Sequence, residues 1–140
     1  MITEDYVSFE IAKLLKEKDF DKDVLVTDWW YDEKGNAHKH QNYSYSGSPV
    51  YYKETCCHAP TLQMAIKWLR EVHHFHIFTV PRWEDVEYIS GEWEKQMIGY
   101  QYVILDIGDT NRKINQPITT ALSPESSYEA AIKYCLENLI

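Results

Sequence analysis

The chain has 140 residues, with 14 basic and 22 acidic side chains, a formal net charge of -8, 44% hydrophobic residues and 14% aromatic ones. That length suits one domain with its own core, and the apolar content excludes global disorder. The acidic balance argues against nucleic-acid binding driven by phosphate neutralisation, and no apolar run approaches the roughly 20 residues of a membrane span.

The opening Met1-Ile2-Thr3-Glu4-Asp5 has neither the basic nor the apolar region of a secretory leader. A first helix is expected from Ser8 to Lys18, with Ser8 as N-cap and Phe9, Ile11, Ala12, Leu14 and Leu15 on one face, stopping at Asp19. Val24 to Tyr31 is rich in β-branched and aromatic residues and reads as a strand. A turn over Asp32 to Asn36 follows, with Gly35 free to take positive φ. The polar stretch Ala37 to Tyr45 reads as an edge strand, broken by Ser46-Gly47-Ser48-Pro49, and Val50-Tyr51-Tyr52 as a short extended piece.

Thr61 caps a second helix, whose Leu62, Ala65, Ile66, Leu69 and Val72 recur at helical spacing. His76 to Val80 reads as a short strand ended by Pro81, which cannot donate to a ladder. Arg82 to Ile98, with Gly91 in its middle, reads as a long loop with some extended structure. Tyr100 to Ile107 is a strand closed by the turn Gly108-Asp109-Thr110-Asn111, and Ile118 to Ala121 a shorter partner. A last helix starts at Ser126, whose Glu129 completes a capping box, and its stripe is Tyr128, Ala131, Ile132, Cys135, Leu136 and Leu139.

The expected class is therefore a single α+β domain over residues 1-140, in the order α-β-β-α-β-β-β-α, with a largely antiparallel sheet and helices covering one face. Ala65-Ile66-Lys67-Trp68 echoes Ala131-Ile132-Lys133-Tyr134, each in a helix after a strand pair; a duplication would make two ββα units, but any two amphipathic helices can agree over four residues.

Three segments carry a resemblance. Ala59 to Glu71, the ending Ala130 to Ile140, and the opening Ile2 to Glu10 with Ala12 to Lys18 resemble segments of small proteins without an assigned activity from gut Bacteroides-type bacteria and their phages or mobile elements. The resemblance implies a phage or mobile-element origin and a cytoplasmic location, and it brings no catalytic residue with it. The odd set Cys56, Cys57 and Cys135 points the same way, to free thiols in a reducing compartment.

Cys56-Cys57-His58 before the second helix and His73, His74 and His76 after it offer zinc-type ligands. The intervening helix holds the two groups roughly 18-20 Å apart, and the alternative is that His73 and His74 serve the helix C-terminus as imidazolium caps. His38 and His40 share a strand face and could bind a metal weakly. No metal or cofactor is assigned on this basis. Cys57 stands at a helix N-terminus beside His58, a setting that can activate a thiol, although no triad spacing is legible and a buried thiol is the simpler reading. Cys135 belongs to the core. A small Cys/His-based hydrolase or metal-dependent enzyme is thus the alternative function. No catalytic residue is assigned.

The leading expectation is a non-enzymatic, acidic protein-binding module. Its candidate surface is Trp30, Tyr43, Tyr45, Tyr51, Tyr52, Trp83 and Trp93, combining the Tyr/Ser/Gly/Asn composition of adaptable contact loops with aromatic rings that a one-sided core leaves outside. The ring projecting outward from Trp29-Trp30-Tyr31 has two fates: cover by the Arg82 to Ile98 segment, or an exposed patch. The expected partner is a protein, with a homodimer left open, and neither nucleic acid nor a membrane. Anionic mimicry of nucleic acid is one version; it requires acidic side chains in a row on one face. Lys67 and Arg70 are too few for a basic stripe.

Overall fold

A computed structural model describes residues 3–24, 28–39 and 51–140. Ser8 caps helix α1 (Phe9–Glu17), its hydroxyl accepting the Ile11 N–H, and Ile11, Ala12 and Leu15 are buried. The chain reverses at Asp19, whose φ of 65° is left-handed, then makes one more helical turn, α2 (Phe20–Asp23), which buries Phe20. This turn is absent from the sequence reading because its four residues hold only one apolar side chain and show no period.

Strands β1 (Trp29–Tyr31), β2 (Ala37–Lys39) and β3 (Cys57–His58) form an antiparallel sheet in the order β2-β1-β3. Among the described residues of the expected strand Val24 to Tyr31, the last three are strand; residues 25–27 lie outside the described set, as do residues 40–50 of the expected edge strand and the piece after it. Tyr51 and Tyr52 belong to no strand. In the turn, Gly35 takes φ +85°, and a Cβ there would meet the Phe9 ring at 2.7 Å.

Thr61 caps α3 (Leu62–His73) by accepting the Met64 N–H, and Leu62, Ala65, Ile66, Trp68 and Leu69 are buried. The second sheet is one long antiparallel hairpin, β4 (Phe75–Glu87) with β5 (Trp93–Asp106). Pro81 does not end β4. Opposite it, Tyr100 exchanges both backbone bonds with Ala121, its N–H and its C=O pointing off the far side of β5. Pro81 and Tyr100 therefore face each other as a non-hydrogen-bonded pair, where the missing N–H would have pointed outward and costs no ladder bond. With the strand carried through, Arg82 to Ile98 becomes most of a hairpin instead of a loop, with a bulge at Ile98, where Arg82 faces Gly99 and Trp83 faces Met97.

The expected partner strand Ile118 to Ala121 is reduced to the single bridge Tyr100–Ala121. Helix α4 (Pro124–Tyr134) starts earlier than Ser126: Ser123 is the cap, accepting the Ser126 N–H, and Pro124 occupies the first turn. Glu129 closes no capping box and instead accepts the Ser8 N–H of α1 at 3.0 Å. A π-helical turn, Cys135–Leu139, continues α4 and buries Cys135 and Leu136.

The fold is α+β, built on antiparallel sheets. The strands form two sheets rather than one, because β1 pairs with β2 and β3 and not with the hairpin. Helices α3 and α4 pack on the hairpin face bearing Phe75, Ile77, Tyr102 and Ile104, and α1 closes the core with Val7, Phe20 and Cys57. In the echoed helices Ala65 and Ile66, like Ala131 and Ile132, point into this core. No helix among the described residues is long and apolar enough to cross a membrane.

Candidate protein-binding surface

The hairpin outruns the body. From Trp83 to Met97 every side chain except Val86 is exposed, so five residues of each strand form a free ribbon roughly 17 Å long. Its tip is the three-residue loop Ile89-Ser90-Gly91, closed by bonds from Tyr88 N–H to Glu92 O and from Gly91 N–H to Tyr88 O, with Gly91 at φ +84°.

Strand alternation sorts the arm into two faces. Trp83, Asp85 and Glu87 continue the face that buries Phe75 and Ile77, and lie opposite Met97, Lys95 and Trp93. On this face Trp83 is 60%, Trp93 65% and Met97 48% exposed. On the other face the Tyr88 hydroxyl donates to Glu94 and accepts from Gln96 Nε2, bracing the ribbon across its strands. Acidic side chains occupy both faces: Glu84 and Glu94 on one, Asp85 and Glu87 on the other with Lys95 across from Asp85.

The remaining aromatic residues are dispersed. Trp30 is buried, 3% exposed, which corrects its assignment to the surface: the His38 ring stacks on it at 4.5 Å and the Tyr52 ring meets it edge-on at 5.7 Å. Asp32 fixes that lid, holding His38 Nε2 at 2.9 Å; this hydrogen bond and the Asn36 backbone keep the carboxyl below its ordinary range. Trp29 leans on Tyr6 at 6.0 Å and Tyr31 on Phe9 at 5.5 Å, so cover comes from neighbouring rings and not from the Arg82 to Ile98 segment. Tyr52 is 38% exposed, its hydroxyl donating to the Cys56 carbonyl and its ring stacked on His58 at 4.4 Å; the loss of solvent around the hydroxyl raises its pKa. Tyr51 is exposed but is not on the arm, and Tyr43 and Tyr45 lie outside the described residues. Met97 escapes sequence reading, since only the bulge at Ile98 sets it opposite Trp83.

The Cys/His candidates sit in packed surroundings. Cys56 and Cys57 are buried, and burial pushes the Cys57 thiol up to about 11 despite nearby Lys16 and Lys13, the reverse of an activated nucleophile. The His73 ring packs edge-on against Trp68 at 4.6 Å, and burial lowers its pKa. It favours the neutral ring, so it is not the imidazolium cap of the sequence reading. His74 terminates α3 through its backbone, at φ 63° with its N–H on the Leu69 carbonyl. Among the described residues no three His, Cys, Asp or Glu side chains come together to hold a metal ion; His40 lies outside them.

No family model matches the chain, and no curated protein or solved structure does either.

Proposed function

We propose that the chain is a non-enzymatic, acidic protein-binding module that uses the β4–β5 arm to dock on another protein. The observation that carries this reading is the row of Trp83, Trp93 and Met97 on one face of a ribbon outside the core. Apolar rings in that position stabilise nothing in the body, and large aromatic anchors are the side chains that dominate protein interfaces. The arm's acidic side chains favour a partner of opposite charge and disfavour phosphate backbones and anionic membranes. Three buried free thiols suit a reducing, cytoplasmic setting. The phage or mobile-element origin rests on the resemblance of the three terminal and helical segments.

The test is an affinity capture from lysate of cells that express the chain, run beside a Trp83→Ser, Trp93→Ser, Met97→Ser variant with an unchanged denaturation midpoint. A stoichiometric protein captured by the parent and lost by the variant supports the reading. Undiminished capture by the variant moves the surface elsewhere.

A further inference from the structure

The arm has two strand edges as well as two faces. Because Tyr88 and Glu92 form the hydrogen-bonded pair that closes the loop, Glu87–Trp93, Asp85–Lys95 and Trp83–Met97 are non-hydrogen-bonded pairs. The N–H and C=O groups of Trp83, Asp85 and Glu87 therefore point away from β5, off the outer edge of β4. Among the described residues nothing bonds to them. Pro81, lacking an N–H, bounds this row on the body side.

We propose that this edge, from Trp83 to Glu87, receives an extended basic segment of the partner protein as a third strand, which rests on the reading of the arm as the docking surface. Charge complementarity selects the occupant. The β4 edge presents Glu84, Asp85 and Glu87 without a basic residue, so a strand carrying lysines finds a carboxylate at three of five positions, with Trp83 free for an apolar side chain. A second copy fits poorly. Two β4 edges paired about a two-fold axis at Asp85 set Asp85 against itself, and two β5 edges paired at Lys95 oppose lysines.

The test titrates the full chain with the peptide acetyl-Lys-Thr-Lys-Lys-Val-amide, reading tryptophan fluorescence and residue-resolved amide exchange. The expected result is slowed exchange at the Trp83, Asp85 and Glu87 amides, unchanged exchange at Lys95, and binding about tenfold weaker in an Asp85→Lys, Glu87→Lys variant. Equal protection by the same peptide with glutamates for lysines overturns the proposal, as does protection on the Lys95 edge or dimerisation of the chain alone. A fluorescence change without amide protection, or neither signal, overturns the strand addition and leaves the arm as docking surface; undiminished lysate capture by the triple variant removes the arm as well.

Discussion

The indole N–H of Trp68 donates to the carboxylate of Asp23 at 2.9 Å, while the Trp68 ring meets Phe20 edge-on at 5.3 Å. The one-turn helix after Asp19 is thereby fastened to the middle of α3 by a charge-assisted bond and an aromatic contact. Asp23→Ala leaves a buried indole donor unpaired and is expected to cost about 1–2 kcal/mol. In a Trp68→Phe background, where no donor remains, the same change should cost under about 0.5 kcal/mol. Denaturant midpoints at constant slope for the four proteins of the cycle measure both.

Gly99 lies where the hairpin leaves the body, and Gly91 lies at the tip of the arm. A Cβ on Gly99 would lie 2.4 Å from the Ala121 carbonyl oxygen, so Gly99→Ala must push that segment away and break the Tyr100–Ala121 bonds, with an expected global loss of about 1–3 kcal/mol. Gly91 has nothing within 4 Å of such an atom but sits at φ +84°. Gly91→Ala strains only the tip, by about 1–2 kcal/mol. It should speed amide exchange in the arm and leave the global midpoint in place.

Burial raises the Cys57 thiol to about 11 and the Cys135 thiol to about 12, from an ordinary value near 9. In the unfolded chain both ionise above pH 9 while the folded chain keeps its protons. Their contribution is complete below pH 9 and is lost as pH rises from 9 towards 12. Stability should decline across that window, and Cys57→Ala with Cys135→Ala, whatever its cost at pH 7, should flatten the decline. Iodoacetamide at pH 8 should label these thiols only as the chain unfolds.

Because the arm's tryptophans touch no core, Trp83→Ser and Trp93→Ser should each move stability by less than about 0.5 kcal/mol. Tyr102→Ala, on the same hairpin but fully buried, should cost about 3–5 kcal/mol. Thermal melts of the three variants make the comparison.

Helices α1 and α3 are legible because each carries its own signature: Ser8 and Thr61 as caps, and buried side chains at helical spacing behind them. Pro124 was the signal that α4 begins before Ser126, since proline is favoured in a first helical turn. The arm was legible as exposed tryptophans but not as an arm. Whether Pro81 stops a strand depends on which side of the ladder its nitrogen faces, and that parity is set by Tyr100 and Ala121, far along the chain. Trp30 is hidden by rings from β2 and from the stretch before β3, contacts that no local period encodes.

The bond from the Ser8 N–H to Glu129 has a partner in the 2.9 Å ion pair between Lys133 and Glu10. Both join α1 to a segment more than a hundred positions further along. During synthesis, α1 leaves the ribosome long before either contact can exist, so these two contacts join it to α4 only after the last helix is made. Contacts so distant in sequence are slow to close, whereas those of the hairpin are local and can form first.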